Sequence, residues 1–183
     1  LNNQGVVNFA GNDQGLITQN TIGIAGGADR SIVAVMRRNG GDMIVAMGAA
    51  GPVTSYGLSS NANHFYAPYV WGYGGVEVDP RPDGQFEIYA NTHQHQDLGE
   101  GNSTGTHWGY VDGLLVGTGS NTPDLNTTDR PIQIGYRIGE NEQEAGVSNG
   151  DLAELLIYNR SLSDAERQRA EALNRPREVI YNN

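Results

Sequence analysis

Short apolar segments separated by Gly, Asn, Asp and Pro follow one another along the chain as far as residue 158. Apolar and polar positions alternate within these segments, or form brief apolar runs, which is the pattern of β-strands. The predicted strands are 6–11, 30–38, 42–51, 75–79, 86–96, 107–118, 130–140 and 150–160. NGGD at 39–42 predicts a hairpin between two of them, and Asp112-Gly113 predicts a tight turn within 107–118.

The pattern changes after residue 160, where SLSDAERQRAEALN (161–174) predicts a helix. Ser163 and Glu166 have the spacing of a capping box, and Pro176 prevents the helix from continuing. Many short strands followed by one short helix indicate an all-β sandwich or barrel. With no internal repeat or linker in the sequence, we predict one domain over 1–175 and a tail over 176–183.

Composition and charge exclude several classes of function. The chain has 183 residues, 11 Lys+Arg against 21 Asp+Glu and a net charge of −10, so nucleic acid and anionic membranes are not expected partners. Cysteine is absent, which excludes disulfides and thiolate metal sites, and no apolar run is long enough for membrane insertion. Abundant Asn, Gly, Ser and Thr, the absence of Lys and a first residue other than Met favour a secreted or cell-surface protein, processed or excised.

The segment FEIYANTHQHQ (86–96) holds the most distinctive polar residues. Side chains alternate between the two faces of a strand, so one face is predicted to be core. That face has Phe86, Ile88 and Ala90. The opposite face is expected to be polar and solvated, and it has Glu87, Tyr89, Asn91, His93 and His95.

Two pairing registers with the next strand, THWGYVDG, are open. In one register Trp108 and Tyr110 lie beside the histidines, giving rings, amides and a carboxylate, which suit the C–H faces and hydroxyls of a sugar. In the other, His107 joins His93 and His95 while the two aromatic residues turn to the core face. Three imidazoles could hold a metal ion in an open site. The remaining alternative is an ordinary solvent-exposed sheet face, which is compatible with either register.

Glu77 and Asp79 form the best carboxylate pair, since alternate residues share a strand face as a glycosidase dyad requires. Pro80 breaks the strand directly after them. A charge pair at a strand end is the expected interpretation, and we predict no enzymatic activity.

The C-terminal segment GDLAELLIYNRSLSDAERQ (150–168) resembles the closing strand and helix of bacterial laminin-G-like domains, which belong to the concanavalin A-like lectin/glucanase superfamily. Four further segments agree in order. They are VVNFAGNDQ (6–14), RSIVAVMRR (30–38), GYVDGLLVG (109–117) and PIQIGYR (131–137), so the resemblance extends over about residues 6 to 173.

The resemblance implies a jelly-roll sandwich of two antiparallel sheets, one of them concave, in an extracellular module. It also implies a structural Ca²⁺ near the chain ends, for which oxygen ligands are needed. The matching positions here are Asn12, Asp13 and Asp151. Glucanases of the superfamily carry a third carboxylate, a Glu, after the pair that matches Glu77 and Asp79. This sequence lacks that Glu.

We therefore predict a non-catalytic carbohydrate-binding or adhesion module that contacts an extracellular glycan, or neighbouring protein domains, through the concave sheet and bordering loops. The aromatic stretch 66–75 adds Trp71 to the candidates. The predicted ligand contacts are Trp71, Tyr89, Asn91, His93, His95, Trp108 and Tyr110. A structural subunit of a surface assembly or filament and a glycan-cleaving glycosidase or lyase are the alternatives.

Overall fold

A computed structural model describes residues 5–11, 15–40, 43–49, 53–60, 65–69, 77–78, 83–121, 124–138 and 144–174. It contains fourteen strands and one helix in these residues. The strands are β1 (Val7–Ala10), β2 (Leu16–Thr21), β3 (Arg30–Arg38), β4 (Met43–Gly48), β5 (Ser55–Ser60), β6 (Phe65–Tyr69), β7 (Glu77–Val78), β8 (Phe86–Gly99), β9 (Asn102–Val111), β10 (Leu114–Asn121), β11 (Pro131–Ile134), β12 (Tyr136–Ile138), β13 (Glu144–Val147) and β14 (Asn149–Tyr158). The helix is α1 (Asp164–Asn174).

The strands form two six-stranded sheets and a small ribbon. The first sheet has the order β1-β14-β3-β8-β9-β10, and the second has the order β2-β11-β4-β5-β6-β7. The ribbon pairs β12 with β13. All pairings between these strands are antiparallel. The jelly-roll sandwich of two antiparallel sheets with one short C-terminal helix is therefore confirmed.

The main core fills the space between the two sheets. Ile32, Ala34 and Met36 alternate along β3 and pack on Val45 and Leu58 of the second sheet. Each of these side chains is almost completely removed from water, which contributes roughly 1.5–3 kcal/mol for a large aliphatic residue. The inner face of the first sheet thus lies against the second sheet.

Part of the outer face of the first sheet is buried as well, because α1 packs across it. Val33, Val35, Ile88 and Ala90 form a second apolar cluster there with Ala170 of the helix. β3 and the first half of β8 are therefore covered on both faces, which explains the unbroken burial of RSIVAV within β3.

The helix begins as its capping-box spacing predicts. Glu166 Oε2 accepts hydrogen bonds from Ser163 N at 3.0 Å and from Ser163 Oγ at 2.7 Å. Arg160 bonds to the same carboxylate at 2.8 Å. These bonds hold the pKa of Glu166 well below its usual range, at about 2. No helix within the described residues is long and apolar enough to cross a membrane.

One predicted hairpin, at 39–42, is wrong, and the other, at Asp112-Gly113, is confirmed. The strand 30–38 is not hairpin-paired with 42–51, because β3 belongs to the first sheet and β4 to the second. Residues 41–42 of the NGGD segment lie outside the described part. The Asp112-Gly113 hairpin joins β9 to β10, and the first strand pairs with the last, β14.

Candidate functional site

The pairing of β8 with β9 decides between the two registers. His93 lies directly opposite His107, Thr92 opposite Trp108, and Ala90 opposite Tyr110. The histidines therefore share the inner face of the first sheet. Trp108 and Tyr110 share the outer face with Ala90.

Both imidazoles are buried and in contact. The His93 and His107 side chains are 0% and 3% exposed, and their rings stack with centroids 4.9 Å apart. His93 Nε2 lies 3.1 Å from Gly27 O and 3.4 Å from Asp124 Oδ1. Since both neighbours are acceptors, the proton of neutral His93 belongs on Nε2. His93 Nδ1 then accepts a hydrogen bond from His107 Nδ1 over 3.1 Å.

Burial lowers the pKa of His93 to about 4, and the neighbouring groups shift this pKa in both directions. His107 and the Arg30 guanidinium lower the pKa further, whereas the Asp124 carboxylate raises it. His93 is consequently a neutral hydrogen-bonding group at pH 7.

Asn91 fixes the middle of the same face by three hydrogen bonds. Its Oδ1 accepts from Ile32 N at 3.2 Å and from Tyr56 Oη at 3.0 Å, and its Nδ2 donates to Gly57 O at 2.9 Å. Complete burial raises the pKa of Tyr56, so its hydroxyl stays protonated as a donor. The amide thereby joins the first sheet to the second.

Arg30 attaches two loops to this end of the sandwich. The fully buried guanidinium donates to Ala28 O at 2.8 Å, to Gly26 O at 2.7 Å and to Thr127 Oγ1 at 2.6 Å. It also lies over the Tyr56 ring, 5.5 Å from the centroid. We call Arg30, Tyr56, Asn91, His93, His107 and Asp124 the inner polar cluster.

Two glycines provide the space that Asp124 occupies. A Cβ on Gly27 would lie 2.6 Å from Asp124 Oδ2, and a Cβ on Gly105 would overlap Asp124 Oδ1 and lie 2.5 Å from His93 Cε1. Both positions therefore require the absence of a side chain.

His95 connects the inner polar cluster to the surface. Its Nδ1 hydrogen bonds to Asp124 Oδ2, and its backbone N–H donates to Asp29 Oδ1 at 2.7 Å. Its side chain is 40% exposed, whereas that of Asp124 is 1% exposed. Of the residues predicted on this face, His95 is the one that reaches solvent at the edge of the sandwich.

The expectation that this face is solvated is wrong for most of its residues. Tyr89, Asn91 and His93 are at most 3% exposed, because the second sheet and the 25–28 loop cover them. Tyr110 is 8% exposed beneath α1, with the Arg167 guanidinium 3.7 Å from its ring centroid. These four side chains stabilise the sandwich and do not present a surface to a ligand.

The outer face of the first sheet becomes polar where it extends past the helix. Gln94 pairs with Thr106 and Gln96 with Thr104, while Thr118 and Ser120 of β10 flank Trp108 and Thr106. Both glutamines, Thr118 and Ser120 are exposed, and Trp108 and the β9 threonines are half-buried. We call this surface the outer strip: Gln94, Gln96, Thr104, Thr106, Trp108, Thr118 and Ser120.

Asp151, a predicted calcium ligand, is held by three donor side chains. Arg37 Nε donates to Oδ2 at 2.7 Å, Asn39 Nδ2 donates to Oδ2 at 3.3 Å, and Asn8 Nδ2 donates to Oδ1 at 2.9 Å. These bonds outweigh the effect of burial and lower the pKa of Asp151. Arg37 supplies the positive charge that a calcium ion would bring. Asn12 and Asp13 lie outside the described residues, so the calcium site stays a prediction.

The remaining candidates are placed only in part. Trp71 and Asp79 lie outside the described residues, and Glu77 is located by its backbone in β7. In the described part of the chain, no three or more His, Asp and Glu side chains are arranged to hold a metal ion. His93, His95 and His107 do share a face, but both nitrogens of His93 and the Nδ1 atoms of His95 and His107 already contact protein groups.

Sequence reasoning missed Asp124, Arg30 and the two glutamines of the outer strip. Asp124 lies 29 residues after His95 in the sequence, and no local spacing connects the two. The exposure of the two glutamines could have been predicted, because they lie on the same strand face as Phe86 and Ile88, beyond the last apolar residue of that face.

Comparison with known proteins agrees with the fold. The family model of laminin G type, described as the concanavalin A-like lectin/glucanases superfamily, matches residues 25–166. Among curated proteins, none matches the chain.

Several solved structures share the architecture at low sequence identity. A heptameric SAP-like pentraxin from Limulus polyphemus is 13% identical with a TM-score of 0.60, and the match covers 87% of this chain and 77% of that one. Domains LG4-5 of the mouse laminin alpha1 chain are 17% identical with a TM-score of 0.59, over 89% of this chain and 43% of that one. A Trypanosoma rangeli sialidase is 17% identical with a TM-score of 0.58, over 92% of this chain but 27% of that one. At these identities the likeness shows the fold.

Proposed function

Because the chain belongs to the concanavalin A-like lectin/glucanase superfamily, we propose that it is an extracellular, non-catalytic module that binds carbohydrate through the outer strip. The single observation that carries the proposal is the composition of that strip, in which exposed amides and hydroxyls border one half-buried indole. Amides and hydroxyls can exchange directional hydrogen bonds with sugar hydroxyls, and an indole can cover the C–H face of a pyranose.

The proposal moves the binding surface predicted from sequence to the other face of β8. Trp108 is retained, whereas His95 is exposed but belongs to the opposite face of β8 and is left out of the proposed site. Gln94 and Gln96 replace Asn91 and His93 as the polar contacts, since they are the exposed ones.

A glycan array tests the proposal directly. We expect the wild type to bind at least one glycan class and Trp108→Ala to lose roughly tenfold or more in affinity, because a stacked ring is a large part of such a contact. Gln168→Ala, an exposed change on α1, is the control and should bind as wild type. If the wild type at millimolar concentration binds no glycan, the proposal fails.

A structural subunit is the second candidate, and the β9–β10 hairpin favours it. Leu114 and Leu115 are 72% and 55% exposed at its tip, an apolar surface of the kind that neighbouring domains bury. Light scattering over a concentration series tests this candidate: self-association that Leu114→Gln/Leu115→Gln abolishes supports it, and a strict monomer counts against it.

The prediction that the protein is not an enzyme is kept as part of the proposal. The similarity to the sialidase extends over about a quarter of that chain and shows the fold alone, so its activity is not transferred. Assay of the wild type against the glycans that it binds tests this point, since hydrolysis lost in Glu77→Gln would contradict it.

A further inference from the structure

The charge distribution around the outer strip restricts the ligands that it can bind. Residues 83 to 129, which include β8, β9 and β10, contain no Arg or Lys and seven Asp and Glu. Asp97 and Glu100 lie exposed at the tip of the β8–β9 ribbon. Acidic sugars are recognised by Arg and Lys, which pair with carboxylates and sulfates. The strip supplies no such partner and borders on negative charge.

Three arginines on neighbouring segments are already engaged. Arg30 is completely buried and bonded to the two loops. Arg167 is 3% exposed and paired with Glu171, and Arg160 is paired with Glu166 at 2.8 Å. An acidic glycan on the strip would therefore find no cationic partner among the strip residues, and the exposed Arg169 belongs to α1 rather than to the strip.

The arrangement of the strip indicates how a saccharide would lie on it. Cross-strand pairing sets its residues in rows: Gln96–Thr104, then Gln94–Thr106–Ser120, then Trp108–Thr118. Strands are about 4.8 Å apart and alternate residues about 7 Å apart, so the rows span roughly 10 Å by 14 Å. A pleated sheet face of this size contacts one side of an extended chain and does not enclose a chain end.

We infer that the outer strip binds internal units of an uncharged polysaccharide, lying side-on across β8, β9 and β10. This inference rests on the proposed carbohydrate-binding function and gives it a ligand class. Affinity must then grow with the number of sugar units until the rows are covered. It must also depend weakly on ionic strength, since no ion pair is formed.

Calorimetry with oligosaccharides of one to six units tests both parts. The probes are the gluco-, manno- and xylo-oligosaccharide series and, as acidic counterparts, the oligogalacturonates. For a neutral series we expect affinity to rise at least tenfold between two and five units and to change less than twofold between 0.05 and 0.5 M NaCl. The oligogalacturonates should show no binding.

The possible negative results separate the inferred ligand class from the proposed carbohydrate binding. Tighter binding of the acidic series, or affinity that stops rising at one or two units, overturns the inference while carbohydrate binding itself stands. If no saccharide in the calorimetric series or on the glycan array is bound, the proposed function falls and the inference with it.

A matched pair of variants locates the ligand. Thr106 occupies the centre of the strip, so Thr106→Arg should block the side-on path and reduce affinity for the best neutral oligosaccharide at least tenfold. Gln168→Arg adds the same charge on exposed α1 and should bind as wild type. Equal affinity in the two variants would show that the saccharide lies elsewhere.

Discussion

The inner polar cluster and the outer strip share β8 and β9, whose alternate residues belong to one or the other, yet one set is buried and the other is largely exposed. His93 is completely buried and Gln94, the next residue, is exposed. The 25–28 and 124–127 loops supply hydrogen-bond partners on the inner side. On the outer side α1 covers the more N-terminal part of β8 and leaves the rest open. A polar strand face is therefore not necessarily the solvent-exposed face, because loops from elsewhere in the chain can bury it and supply its hydrogen-bond partners.

The largest loss of stability is expected from Asn91→Ala. The substitution leaves Tyr56 Oη, Gly57 O and Ile32 N without their bonds to this side chain, in a buried site. We expect the free energy of unfolding to fall by about 3 kcal/mol, measured by urea denaturation. Gln96→Ala on the outer strip is the control and should change it by less than about 0.5 kcal/mol. Equal losses would show that the two faces do not differ.

Gly105→Ala should destabilise the protein somewhat less, by about 2 kcal/mol, because the added Cβ displaces Asp124 and His93. Thr106→Ala removes atoms from the next residue on the opposite face and serves as the matched control. Thermal melting measures both, and an unchanged melting temperature for Gly105→Ala would contradict the tight packing around Asp124.

Acid should weaken the inner polar cluster through His93. Its folded-state pKa of about 4 lies below the unfolded value near 6.5. The unfolded chain therefore binds more protons between these values, and this contribution to stability is lost as pH falls from about 6.5 to 4. We expect a slope of up to about 1.4 kcal/mol per pH unit from this residue.

Urea denaturation between pH 7.5 and 4.5 measures that slope. His93→Gln should be less stable at pH 7 but show a flatter pH dependence than wild type. His95→Gln, at the exposed rim, is the control and should keep most of the slope. A slope that His93→Gln leaves unchanged would assign the acid sensitivity to other groups.

Chelation of divalent ions should change the stability of the protein least. Arg37, Asn39 and Asn8 already bind the Asp151 carboxylate, so removing divalent ions should not leave it without partners. We expect EDTA to shift the melting temperature by less than about 2 °C, corresponding to roughly 0.5–1 kcal/mol for a domain of this size. A larger drop that calcium reverses, and that Asp13→Asn abolishes, would support the predicted calcium site instead.

The sequence predicted the architecture because alternation, turns and the capping box are local signals. The strand 86–96, the Asp112-Gly113 turn and the Ser163–Glu166 cap all match the structure. The strand β2 was missed, since its residues LITQNT are mostly polar and exposed. The hairpin predicted at 39–42 is wrong because β3 and β4 belong to different sheets, and a local Gly-rich sequence does not report which sheet the next strand joins.

The candidate site was less accessible from sequence because both faces of β8 are buried over 87–93. Alternation correctly sorted Phe86, Ile88 and Ala90 from the histidines, but it did not show which face meets the second sheet. The register was also undetermined, since it depends on the turn at 99–101, where Gly99, Glu100 and Gly101 all adopt positive φ. Asp124 joins His93 and His95 through tertiary packing, which no local pattern reports.

The most direct test compares His93→Ala with Gln94→Ala, two neighbouring residues on opposite faces of one strand. Unfolding free energy and affinity for the tightest-binding neutral oligosaccharide are measured for both. We predict that His93→Ala lowers stability by about 2–3 kcal/mol and leaves the Kd of the folded protein unchanged, whereas Gln94→Ala weakens binding several-fold at unchanged stability. Weaker binding by folded His93→Ala together with wild-type binding by Gln94→Ala would contradict the assignment of structure to the inner face and recognition to the outer one.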